Sequence, residues 1–74
     1  MKNTITFEGE RTGVSSSGNT EWYEFTVTST RHLTKSGAIG IGQSHGMGGQ
    51  TASCEETQED GVFVYRCKAT CYCD

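Results

Sequence analysis

Hydrophobic and polar residues alternate along much of this chain, and that alternation predicts strands rather than helices. Thr4-Ile5-Thr6-Phe7-Glu8 places Ile5 and Phe7 on one face. The strongest alternation runs over Glu21–Arg31, with Tyr23, Phe25 and Val27 on one face and Trp22, Glu24, Thr26, Thr28 and Thr30 on the other. The threonines suit an exposed β surface, so the aromatic side is expected to face the core. Between these segments lies Gly13-Val14-Ser15-Ser16-Ser17-Gly18-Asn19, a polar stretch of turn formers. A two-residue Gly18-Asn19 loop would set Ile5 and Phe7 on the opposite face from Tyr23 and Phe25. We therefore expect a three-residue loop, or a bulge near Gly9 or Gly13, because burying the aromatics together outweighs the cost of an irregular pairing.

Gly37-Ala38-Ile39-Gly40-Ile41-Gly42 alternates again and reads as a short strand whose glycine face admits a neighbouring backbone or aromatic ring. Gln43–Gly49 carries neither period and reads as a mobile connection. The C-terminal third holds the clearest turn signal, Asp60-Gly61, between Thr51–Glu59 and Val62–Tyr72. Such a dipeptide is the signature of a type I′ hairpin. With it as the loop, Glu59 faces Val62, Thr57 faces Val64 and Cys54 faces Cys67. No window shows helical periodicity. The expected fold is all-β: one small antiparallel meander, or a partly open barrel, of about five short strands. A single domain over 1–74 divides into an N-terminal strand pair (1–36), a Gly-rich strand and loop (37–50) and the cysteine-bearing hairpin (51–74).

Composition adds a constraint. Hydrophobic residues are 32% of 74, against ten glycines, seven serines and eleven threonines. A chain so short and so poor in apolar material normally needs a staple, a metal or a partner to hold its fold. The net charge of −3 and the scatter of Lys2, Arg11, Arg31, Lys35, Arg66 and Lys68 argue against a nucleic-acid binder. No apolar run is long enough for a membrane span. The four cysteines favour an oxidising or extracellular setting, although the N-terminus shows no apolar signal segment.

The register divides the cysteines. Glu59/Val62 is the hydrogen-bonded pair beside the turn, which makes Cys54/Cys67 a non-hydrogen-bonded pair with Cα atoms about 4.5 Å apart. That separation lies within the disulfide range of about 4.4–6.8 Å. The closed loop is worth about 3 kcal/mol by chain entropy. Cys71 and Cys73 share one strand face at a spacing of about 6.6 Å, too far to bridge each other without a sharp bend. They are expected to be free thiols or to link copies of the chain. A metal site is the competing assignment. Cys54, Cys67, Cys71 and Cys73, with His45 or His32 in place of one thiolate, supply enough ligands for tetrahedral zinc. The C-x12-C-x3-C-x-C spacing lacks the C-x-x-C knuckle of zinc modules.

Signals for catalysis are weak. Ser44 and His45 are adjacent in a glycine-rich segment, where neither side chain can readily aim at the other. Gly40-Ile41-Gly42-Gln43-Ser44-His45-Gly46 misses the dinucleotide fingerprint by one residue, and Gly46-Met47-Gly48-Gly49-Gln50-Thr51 lacks a phosphate-loop lysine. The acidic run Glu55, Glu56, Glu59 and Asp60 reads as a solvated hairpin face or an attractor of cations. We expect no enzyme activity and no cofactor.

The composition points to a non-enzymatic, disulfide-stapled structural or interaction module, self-associating through strand edges and the terminal Cys-x-Cys. Two further readings stand beside it. One is a small Cys-rich metal-binding module. The other rests on Gly48-Gly49-Gln50, which resembles the double-glycine cleavage site of exported bacterial peptides such as bacteriocins and lanthipeptides. The 25 residues that follow hold four cysteines together with Thr51, Ser53, Thr57 and Thr70. The resemblance implies a precursor cut after Gly49 and a tail able to form thioether rings.

Overall fold

The computed structural model describes residues 3–49 and 51–72. Four strands and one helix follow in order: β1 (Ile5–Val14), β2 (Thr20–Ser29), α1 (Thr34–Ser44), β3 (Thr51–Glu59) and β4 (Val62–Tyr72). The strands form one antiparallel sheet in the order β1-β2-β4-β3. The small all-β reading holds, with four strands in place of about five.

The first hairpin joins the aromatics on one face, as their burial demands. Its register slips between Arg11 and Gly13, a bulge at Thr12. Phe7 therefore faces Val27, and the Phe7 and Phe25 rings lie 5.6 Å apart. The connection closes where Ser15 N–H donates to Thr20 O at 2.8 Å, with Gly18 at φ +80° within it. The second hairpin has the expected turn, because Asp60 (φ 52°) and Gly61 (φ 77°) both occupy the left-handed region that type I′ requires. Its register pairs Glu59 with Val62, Thr57 with Val64 and Cys54 with Cys67.

The glycine-rich segment is a correction. Gly37–Gly42 is not a strand but the middle of α1. Three glycines each cost a helix about 1 kcal/mol relative to alanine, so local propensity opposes this outcome. Packing supplies the reason. Ala38 and Gly42, four residues apart, are the buried positions of α1, and Leu33 and Ile41 pack beside them. With so little side chain on that stripe, the helix lies directly on the aromatic face, and Gly42 rests on the Phe25 ring. The approach of an aromatic ring to bare backbone, expected of a strand, is met on a helix instead.

The Gln43–Gly49 connection is also more ordered than its sequence suggests. Gly46 sits at φ +79°, its N–H donates to Gln43 O at 3.0 Å, and Met47 N–H donates to Gly42 O at 2.8 Å. These two bonds form a Schellman stop for α1. Met47 then lies over Gly9 of β1, where a side chain would leave it no room. At the other end, Thr34 occupies φ 71° and its Oγ1 accepts the Gly37 N–H at 3.2 Å, which satisfies one donor of the first turn.

The core lies mainly on one side of the sheet, with Val64 of β4 buried on the other. Phe25 and Val27 of β2, Tyr65, Cys67 and Ala69 of β4, and Ala38 of α1 are all buried. Gly40 points away from this layer, and a Cβ there would meet nothing within 4 Å. Gly40→Ala is accordingly expected to stabilise the protein by about 1 kcal/mol, through helix propensity alone. Thermal melting followed by circular dichroism checks this, and a lower melting temperature would contradict a helix over these residues.

Candidate functional site

The chemistry expected of the cysteines resolves into a staple. Cys54 and Cys67 form a disulfide, S–S 2.05 Å, with Cα atoms 4.0 Å apart. Cys67 is buried opposite Phe25, so the bridge belongs to the core beneath α1. Bonded to each other, these two sulfurs are withdrawn from the four-thiolate zinc set. His45 is committed elsewhere, its ring stacked on Phe7 at 4.0 Å between centroids. Among the described residues no group of three or more His, Cys, Asp and Glu is placed to hold a metal ion. Cys71 is half-buried within β4, where it faces Glu21 of β2. Cys73 lies outside the described residues.

Contrary to expectation the Ser44 and His45 side chains do meet, with Ser44 Oγ 3.4 Å from His45 Nδ1, but both also turn to one backbone carbonyl. Ser44 Oγ donates to Ile41 O at 2.7 Å, and His45 Nδ1 lies 3.0 Å from the same carbonyl. The serine proton is spent on the backbone, while the imidazole is fixed by Phe7. Gly48 and Gly49 have a packing role between α1 and β3. A Cβ on Gly48 would run into Gln43, and one on Gly49 into the Thr70 carbonyl.

The acidic run of the hairpin is split between the two faces by strand alternation. Glu56 turns toward the helix side, where Glu56 Oε2 accepts the Tyr65 hydroxyl at 3.1 Å and lies 2.8 Å from His32 Nε2. Tyr65 Oη in turn accepts the Leu33 N–H at 3.0 Å. This Leu33–Tyr65–Glu56–His32 chain pins the entry of α1 to β3 and β4. The hairpin register already sets Glu56 opposite Tyr65, but no spacing in the sequence foreshadows the arrival of His32 and Leu33. Tyr65 is fully buried, so its hydroxyl serves the fold and is closed to a substrate. Farther along the same face, Arg11 Nη1 lies 3.1 Å from Glu21 Oε2, and the Tyr23 hydroxyl donates to Glu21 Oε1. The Tyr23 hydroxyl, then the Arg11 guanidinium, hold the Glu21 carboxyl below its ordinary range, and Glu21 raises the Tyr23 phenol in return. A depressed carboxyl stabilises the fold above its unfolded pKa, and that stabilisation fades as the pH falls through the folded value.

Among the described residues no element covers the opposite face of the sheet. Its rows read Glu10–Glu24–Lys68–Ser53, Glu8–Thr26–Arg66–Glu55 and Thr6–Thr28–Val64–Thr57 across the four strands. The Thr6 and Thr28 hydroxyls bond to each other. Arg66 Nη1 donates to Glu59 at 3.1 Å and Thr57 at 3.3 Å, and this holds the Glu59 carboxyl low. A broad trough of ≈ 920 Å³ lies over the first two of these rows. It is open and rimmed by charged side chains, unlike the enclosed apolar clefts that hold small molecules. Trp22 lies on this face, 41% exposed and packed over Gly13. Strand alternation alone assigns these side chains to the solvent side, but it does not foretell that no described element covers them.

No helix among the described residues is long and apolar enough to cross a membrane. No protein family, curated protein or solved structure matches this chain.

Proposed function

We propose that this small disulfide-stapled β protein is a non-enzymatic interaction module that offers its bare sheet face and unpaired strand edges to a protein partner, copies of itself included. The observation that carries the reading is the asymmetry of the sheet. One face is packed beneath α1, while the other is mostly polar and open, and among the described residues the outer strands β1 and β3 each have a second edge without a strand. Edges of this kind are templates for strand addition. The stapled hairpin and the network at Tyr65 make the platform rigid, which lowers the ordering cost of binding. The engagement of Ser44 with the Ile41 carbonyl supports the same reading, because it draws the serine proton to the backbone and away from the neighbouring imidazole.

Native mass spectrometry, with gels run under reducing and non-reducing conditions, tests the self-associating form. We expect a concentration-dependent dimer or larger species. A strict monomer in every condition would remove self-association and leave only an unlike partner.

A further inference from the structure

Resting on the interaction-module reading, we propose that the β1 edge and the bare face beside it take an extended cationic strand, one with Lys or Arg at alternate positions. The orientation of β1 decides what such a strand would meet. Thr30 N–H donates to Thr4 O at 3.1 Å. Antiparallel pairs alternate, so before the bulge the even residues of β1 bond inward to β2, and the peptide groups of Ile5, Phe7, Gly9 and Arg11 face outward. An added strand that uses those groups places its alternate side chains beside Glu8 and Glu10 at the closer, non-hydrogen-bonded sites, where Cα atoms are about 4.5 Å apart.

Glu8 and Glu10 are exposed and join no ion pair among the described residues. Glu10 moreover stands directly opposite Glu24, a like-charge cross-strand pair that costs stability. Glu24 has Lys68 on its other side, and Arg66 is engaged by Glu59, so Glu8 and Glu10 are left uncompensated at the β1 edge. Trp22, on the same face of β2, offers an aromatic surface to a cationic side chain. A second copy fits this edge poorly. In an antiparallel overlap centred on Gly9, Glu8 of each chain meets Glu10 of the other, and one centred on Glu10 sets the two Glu10 residues face to face. Pairing β1 with β3 brings Glu8 and Glu10 toward Glu55 and Glu59, which share that face.

Trp22 is the sole tryptophan, so its fluorescence reports on this face directly. The full chain is titrated with a seven-residue peptide alternating Lys and Thr, and with its Glu/Thr counterpart. Saturable binding of the Lys peptide alone is expected, and it should weaken as salt rises from about 50 to about 300 mM. The double variant E8K/E10K should bind about tenfold more weakly or worse. The single variant E10K, which relieves the clash with Glu24, should melt higher than the parent, which separates lost binding from lost folding. Equal binding by E8K/E10K, or no binding of the Lys peptide, overturns the proposal. If the peptide fails while native mass shows a dimer, the interaction module stands and only the cationic partner is lost; a monomer that binds neither peptide removes the cationic strand and self-association together.

Discussion

Reducing the Cys54–Cys67 disulfide is expected to lower the melting temperature by about 12–24 °C. The figure follows from a bridge of this loop length contributing about 3 kcal/mol, with about 4–8 °C per kcal/mol for a domain of this size. Two features make the loss consequential. The buried core holds few large side chains, chiefly Phe25, Val27 and Tyr65. And β3 is an outer strand, held to the sheet along one side by β4 alone. Calorimetry or circular dichroism with and without a phosphine reductant measures the effect, and a Cys54→Ala/Cys67→Ala variant should melt like the reduced protein. Hydrogen exchange should accelerate first in β3. A shift of only a degree or two would mean that packing, not the staple, holds the hairpin in place.

The packing of α1 on the sheet is testable by a pair of substitutions that fail singly and compensate together. Phe25→Ala empties the space beneath the helix and should cost about 3–5 kcal/mol. Gly42→Leu drives a branched side chain into the Phe25 ring, which already sits where a Cβ would go. Overpacking of this kind costs about 1–3 kcal/mol or more, well above the helix-propensity gain of about 1 kcal/mol from replacing glycine. In the double variant the leucine occupies volume vacated by the ring. It should therefore recover about 1–3 kcal/mol relative to the two single losses taken together, the coupling typical of residues in contact. Chemical denaturation of the four proteins measures the cycle. Additive effects would place Gly42 away from Phe25 and refute this helix–sheet contact. The contrast with Gly40→Ala, two residues earlier on the solvent side, makes the test specific to the face and not to the helix.

Much of the sheet was legible in the residues because its decisive signals are local. Asp60-Gly61 imposes one turn type and hence one register, and that register alone brings Cys54 to Cys67. In the first hairpin, the need to bury Phe7 with Phe25 required a bulge or a longer loop, and the bulge falls beside Gly13. Strand alternation likewise placed Trp22, Glu24 and Thr26 on the side away from the core. The helix was not legible. Leu33, Ala38, Ile41 and Gly42 form a stripe too small to register as a helical period, and Ile39 with Ile41 satisfies a strand equally well.

What the chain determined by itself is therefore the pairing of neighbours: two hairpins, their registers and the disulfide between the strands of the second. Tertiary structure decided the rest. Only the assembled sheet presents the Phe25 ring against which a glycine-poor helix would not fit, and so only there does the Gly37–Gly42 segment become helical. Only folding brings His32 to Glu56 and Tyr65, or sets the Glu8–Glu10 edge on a face that α1 leaves bare. Turn chemistry acts over a few residues and is written in them. Coverage of a surface depends on which distant segment arrives, and no local pattern encodes that choice.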